Sequence, residues 1–465
     1  MKKFLPLSIL AALLALTIGC GGNAASTGTG TQPSSVFVTA EDAPVSSVVA
    51  FNITINSITL NNGSTSVAAL STPTAVDFGR LVGLRSLLGF NTIPPGTYTS
   101  ATFTFEAASP APSVTYLDFT QTPPVPVNAT GTLSASTVTI AFPTGKPLVV
   151  TSNGLAGLHM DFDLRSSLAN DGMGNLIITK TGSTEFIAVT PTVDVMAVSA
   201  SDDLGQITDF TGNVVSINSA ANSFVMQGPY GFQRTIDVAA KATFNGGNAF
   251  SSLMVDGIVS VIGTVQADGS ILASDVELIT TDKAFISGRI LSVSPGPVVT
   301  MFVGEELGTS ATIPADSLQT IDLSGVKEYD ICFFDNLLTD QLFNASSLLV
   351  GQRIFVGGTY QSNIFSPVMV SLRRQGVVGA LVPNSVSISS GNQGSFQMKN
   401  DALMSYSAGG PFTVDTGNLT RFVNINGLAG LQAAGSANLI SRGLVFKDQG
   451  SGKPYVVAGR VRVLP

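Results

Sequence analysis

Apolar and polar residues alternate in short runs along most of the chain, the period-two signature of half-buried strands. Val48-Val49-Ala50-Phe51 opens as an apolar run and continues as an alternation through Asn52-Ile53-Thr54-Ile55. Ala101-Thr102-Phe103-Thr104-Phe105 alternates from end to end. Turn chemistry separates such runs: Asn61-Asn62-Gly63, Pro94-Pro95-Gly96-Thr97-Tyr98 and Asp268-Gly269 each favour a tight reversal. One segment departs from period two. Between Phe78 and Phe90 the residues Leu81, Leu84 and Leu88 recur at spacings of three and four, which predicts a helix that Gly83 and Gly89 oppose.

The second half of the chain repeats itself. Three segments open alike, Gly212-Asn213-Val214-Val215-Ser216-Ile217, Gly288-Arg289-Ile290-Leu291-Ser292-Val293 and Gly376-Val377-Val378-Gly379-Ala380-Leu381. Each proceeds to a related strand, Thr235-Ile236-Asp237-Val238, Thr320-Ile321-Asp322-Leu323 and Thr413-Val414-Asp415. A repeat of roughly 75–90 residues is too long for a solenoid unit and suits a small autonomous barrel, whose closure removes unpaired strand edges. In the first repeat, Gly263-Thr264-Val265-Gln266-Ala267-Asp268-Gly269-Ser270-Ile271-Leu272-Ala273 resembles domain of unknown function 5666, a small β-barrel found in tandem in exported bacterial proteins. The second and third repeats resemble it by their openings and their place in the tandem.

The region from Val36 to about Ser199 resembles another family of exported bacterial domains, domain of unknown function 4382. The matching residues are Val38-Thr39-Ala40-Glu41-Asp42-Ala43-Pro44, the turn Pro94 to Tyr98, and Gly157-Leu158-His159-Met160-Asp161-Phe162-Asp163-Leu164 followed by Ser166-Ser167. Ala40-Glu41 interrupts the family's usual Thr-Asp-Ala-Pro run. The resemblance implies a β-sandwich and no established activity.

The N-terminus carries a different pattern. Lys2 and Lys3 precede an apolar stretch from Phe4 to Ile18, too short for a membrane-spanning helix and suited to a signal peptide. It ends in Leu16-Thr17-Ile18-Gly19-Cys20, which resembles the lipobox of bacterial lipoproteins, with Thr17 where the family most often has Leu. The resemblance implies lipidation of Cys20, and Gly21 in place of an Asp retention signal implies an outer-membrane destination. Gly21 to Ser35, rich in Gly, Ser and Thr, reads as a flexible tether.

Composition narrows the function. Only 11% of residues are charged, the net charge is −8 and the pI is near 4.7, which argues against binding nucleic acid through its phosphates. With Cys20 lipidated, Cys332 has no partner for a disulfide, and its apolar surroundings read as those of a buried small hydrophobe.

Catalytic signatures are missing from the sequence. His159 is the sole histidine and lies in an apolar strand, where a structural role is expected. No Gly-x-Ser-x-Gly elbow, phosphate loop or dinucleotide fingerprint occurs. Asp161 and Asp163, two apart on one strand, are the residues from which a hydrolase pair or a calcium site would be built, with Asp202-Asp203 and Glu305-Glu306 as further oxygen donors. Tyr230 and Phe232, on the turn Gly228 to Phe232, form a candidate ligand patch.

The expected protein is all-β. A signal peptide (1–19) and tether (20–35) precede a β-sandwich (36–199) and three small OB-like β-barrel repeats (207–281, 284–374 and 375–465). The expected role is a lipid-anchored, non-catalytic binding or structural module of the cell envelope, facing the periplasm or the cell surface, without a cofactor. Its expected partners are the membrane itself and an envelope protein or polysaccharide. A carboxylate-based hydrolase of envelope polymers and a calcium-stabilised adhesin are the alternatives.

Overall fold

The strand Val48–Asn61 organises the N-terminal domain, and its sequence shows how. Phe51, Ile53 and Ile55 point inward at odd positions, whereas Ile58 and Leu60 point inward at even ones. A register shift between Ile55 and Ser57 accounts for the change of parity: the bulge inserts one residue and keeps the apolar side toward the core. In the computed structural model, which describes residues 34–464 except 44, 83, 173–174, 229–232, 281–283, 310–311 and 333–340, this strand belongs to a nine-stranded sheet. That sheet packs on a four-stranded one ordered Val193–Val198, Leu155–Asp163, Ser34–Ala43, Ser86–Ile93. Between them lies a core in which the rings of Phe78 and Phe162 stack at 4.7 Å and Phe51 approaches Phe162 at 5.4 Å.

The helix expected between Phe78 and Phe90 does not form. Phe78–Arg80 is a single 3-10 turn and Ser86–Ile93 is a strand paired with Ser34–Ala43. Leu81, Leu84 and Leu88 are buried as predicted, but tertiary pairing buries them, not helical periodicity. At Gly79 a Cβ would sit 2.8 Å from the backbone of Ala50, so this turn lies directly against the long strand.

The remaining strands form three modules of one design. In the first, Ile207–Asn218, Ser223–Gln227, Gln233–Phe244, Ile258–Val265 and Ile271–Thr280 close into a five-stranded barrel of order 1-2-3-5-4, with strands three and five parallel. The third module closes the same circuit through Gln375–Leu381, Gln393–Lys399, Phe412–Val423, Asn438–Lys447 and Pro454–Val463. In the second, the third strand is split into Ser317–Asp322, which pairs back to strand two, and Glu328–Ile331, which takes the parallel place beside strand five. That module is therefore a six-stranded sheet with a broken ring and not the uninterrupted barrel expected.

Glycine makes the tight coiling sterically feasible. Gly263, Gly358 and Gly443 each sit at a register shift in the fourth strand, where a Cβ would collide with the carbonyl oxygen of Leu272, Ser366 or Val457. In the first strand, Gly212, Gly288 and Gly379 play the corresponding part against Gln227, Phe302 and Lys399. The third repeat thus aligns through Gly379, three residues beyond the Gly376 of its sequence opening. Gly376 instead touches Val82 of the sandwich.

The modules are packed on one another. Phe37 and Leu87 of the sandwich enter the core of the first barrel. Ala50, Leu117, Leu291, Phe302 and Leu403 form a small apolar cluster shared by the sandwich and the second and third modules. Between the first and second modules, Arg373 pairs with Glu277, which also accepts from Ser371 Oγ at 2.7 Å. The Arg373 guanidinium lies over the Phe355 ring at 3.9 Å, so this buried charge is packed as well as paired. Cys332 is buried and free. No helix among the described residues is long and apolar enough to cross a membrane.

Candidate functional site

The polar side of the small sheet of the sandwich faces the C-terminal barrel. In Ser34–Ala43, Val36, Val38 and Ala40 enter the sandwich core, so the period of two turns Thr39 and Glu41 the other way. The parallel register sets His159 beside Thr39 and Asp161 beside Glu41. Across the junction, the last strand places Val461 in the barrel core and sends Arg460 and Arg462 outward. Arg462 Nη1 donates to Asp161 Oδ2 at 2.6 Å, and Arg460 Nη1 reaches both Glu41 oxygens at 3.1 and 3.2 Å.

Glu41 is the electrostatic centre of this junction. Burial alone would raise its pKa, but Arg460, Arg85, His159 and Arg442 outweigh it and hold the carboxyl at about 2. Arg85, 1% exposed, adds an ion pair at 3.5 Å and donates through Nε to the Gln206 carbonyl at 3.0 Å.

His159 is pushed down to about 4, first by desolvation, against the opposing pull of Glu41. Its Nδ1 lies 3.1 Å from the Thr39 hydroxyl, which also donates to the Leu204 carbonyl at 3.1 Å. With that hydroxyl proton engaged, Nδ1 carries the imidazole hydrogen and the ring is neutral. His159 is a satisfied core residue.

Beside this junction opens a cavity of about 580 Å³ bounded by the sandwich and the first and third barrels. Its most distinctive feature is a single rung of the third barrel. Arg421 pairs in register with Arg460, and Arg460 with Arg442, so three guanidinium-bearing residues lie on adjacent strands at one level. Like charges placed this way repel. The row runs from the mouth inward: the Arg421 side chain is 61% exposed, that of Arg460 8%, and Arg442 as a whole residue 6%. Arg85 and Arg374 complete the basic lining.

Asp203, on the connection between the sandwich and the first barrel, offsets part of the charge. It meets Arg421 at 2.9 Å, Arg85 at 3.3 Å and Arg460 at 3.7 Å. Burial raises the pKa of this carboxyl, but Arg85, Arg460, Arg442 and Arg421 bring it below the ordinary value. The Arg442 side chain forms no hydrogen bond or ion pair among the described residues. Burial, with Arg85 and Arg374 beside it, pushes its pKa well below the usual arginine range.

The two carboxylates singled out in the sequence are separated in role. Asp161 is desolvated, with a pKa raised to about 6 by burial and by Glu41 against the pull of Arg462. Asp163 caps the short helix Leu164–Ser167, accepting from Ser166 N at 2.9 Å and Ser166 Oγ at 2.6 Å. Glu305 pairs with Arg80 at 2.7 Å, Glu306 accepts from Thr309 N at 2.9 Å, and Asp202 accepts from Ser199 N at 2.8 Å. Each of these carboxylates is thus engaged locally, and no group of three or more metal-capable side chains occurs among the described residues. Cys20, Tyr230 and Phe232 lie outside the described residues.

None of the cavity arginines was singled out from the sequence. The available signal was Arg460 and Arg462 alternating with valines in an otherwise apolar strand of a chain poor in charge. No curated protein matches the chain. Residues 34–179 match the family described as domain of unknown function (DUF4382), which covers the sandwich up to its last three strands, Thr179–Thr181, Thr184–Val189 and Val193–Val198, reaching only the first residue of these.

Proposed function

We propose that the chain is an exported lipoprotein, held to the outer membrane through Cys20, and that it serves the cell envelope as a non-catalytic binding module. In this reading the three C-terminal modules are a tandem of the kind described as domain of unknown function 5666. The observation that carries the binding role is the arginine-lined cavity where three modules meet. It concentrates positive charge in a chain whose net charge is −8. Arginine supplies donors in a fixed fork and does not exchange protons near neutrality, so such a lining suits holding an anionic partner more than acid–base chemistry.

A hydrolase built on Asp161 and Asp163 has less support, because Arg462 and the Ser166 cap already occupy them. The envisaged partner is an envelope protein or polysaccharide bearing negative charge.

Two measurements test the reading. Replacing Cys20 by alanine should move the protein from the membrane fraction to the soluble fraction, and an unchanged distribution would refute anchoring there. Crosslinking in intact cells followed by purification from membranes should capture an envelope partner. Recovery of the chain alone would count against the binding role.

A further inference from the structure

We infer that the cavity between the sandwich and the first and third barrels is built for a small, doubly charged oxyanion, a phosphate or dicarboxylate group, with Arg442 as its innermost ligand. The inference rests on the cavity being the binding site and is independent of the lipid anchor. Three observations carry it. First, five arginines (85, 374, 421, 442 and 460) line the cavity, with Asp203 and Asp275 as the carboxylates of its described wall. Second, the rung Arg421–Arg460–Arg442 sets like charges on neighbouring strands, and Asp203 bridges Arg421 and Arg460 while Arg442, at the inner end, has no ion pair among the described residues.

Third, Arg442 is 6% exposed, lines the cavity, and its side chain makes no hydrogen bond or ion pair among the described residues. A buried cation without a partner is destabilising, and a guanidinium fork is suited to paired oxygen atoms of phosphate or carboxylate. The cavity, about 580 Å³, falls within the size range of small-ligand sites. Thr208, whose Oγ1 accepts from Arg85 N at 3.0 Å, keeps a hydroxyl proton for orienting the rest of such a ligand.

The test uses the purified chain, comparing sodium phosphate, sodium succinate and sodium chloride at equal ionic strength, by thermal unfolding and titration calorimetry. Phosphate, succinate or both should raise the unfolding midpoint by about 2–4 °C and give measurable heat, while chloride should not. Arg442→Met should weaken that binding at least about tenfold and raise the midpoint of the ligand-free protein, because it removes a buried guanidinium whose desolvation and arginine neighbours outweigh the attraction of Glu41. Arg421→Gln, at the exposed rim, provides a folded control that weakens binding without that stability gain.

Equal midpoints in all three salts would overturn the inference, as would an undiminished response in Arg442→Met. Capture of an envelope partner with no oxyanion response would overturn the ligand class alone. An oxyanion response without an envelope partner would uphold it and overturn the wider reading.

Discussion

Glu41→Gln tests whether the sandwich and the C-terminal barrel are held together by charge. The side chain is buried, with both oxygens on Arg460 and one facing Arg85. Glutamine keeps the shape, loses the charge, and turns an amide donor toward guanidinium donors. A folded-state pKa of about 2, against an ordinary 4.5, corresponds to about 3 kcal/mol at neutral pH. Removing one member of a buried ion pair costs about 3–5 kcal/mol in other proteins, so the two routes agree. Because the folded pKa is depressed, this contribution is present in full above about pH 4.5 and is lost as pH falls toward 2.

The chain has no tryptophan, so urea unfolding is best followed by far-ultraviolet circular dichroism across a pH series. The quantity to compare is the difference between wild type and variant, since Asp42, Asp77 and Asp161 have raised pKa values and oppose the trend in the wild-type curve alone. The difference should be about 3 kcal/mol at neutral pH and should close as pH approaches 2. A gap under about 1 kcal/mol, or one that does not vary with pH, would refute the reasoning.

Two further outcomes follow from the same physics. Asp77, buried near Asp316 and Arg80, has its pKa raised to about 7 by burial first and Asp316 next. Its contribution favours the folded state below pH 3.8 and fades as pH rises through 7. Asp77→Asn should therefore be more stable than wild type at pH 8 by up to about 4 kcal/mol and should lose that advantage near pH 4, as chemical denaturation at the two pH values would show. Gly443→Ala would drive a methyl group into the Val457 carbonyl, so the two strands must separate. A loss above about 2 kcal/mol is expected, and a melting temperature within a degree of wild type would contradict the close-approach account.

What the sequence made legible was local. Period-two runs located strands such as those through Phe51 and Phe103, but the alternation was followed only to Ile55, and the bulge that carries the same strand on to Asn61 was not read from it. The repeat marked three modules of one kind, while their strand order came from the structure. The Phe78–Phe90 segment failed because its leucines are buried by separate partners: Leu88 meets the sandwich core and Leu87 the first barrel. Apolar spacing cannot distinguish two such walls from one helical face.

The third repeat was offset because Gly376 and Gly379 both open an apolar run, and only the backbone approach to Lys399 distinguishes them. The cavity was invisible for a further reason. Alternation shows that Thr39, Glu41, Arg460 and Arg462 turn away from their own cores, yet the same pattern would arise if they faced water. That Glu41 faces another module is a fact about packing, set by residues far apart in the chain.

That separation has a consequence for how the protein comes into being. Glu41 lies in the opening strand of the sandwich, and its partner Arg460 follows 419 residues later in the closing strand of the last barrel. While a chain is made or threaded from its N-terminus, the sandwich can assemble its two sheets, but Glu41 must stay hydrated or face only Arg85 until the final strand arrives. The first strand is thus incompletely closed until the last is in place, and the pairing acts as a completion latch. Any chain cut short before Arg460 would keep a polar, unsatisfied seam on its oldest domain, a mark by which proteases can distinguish unfinished molecules from finished ones.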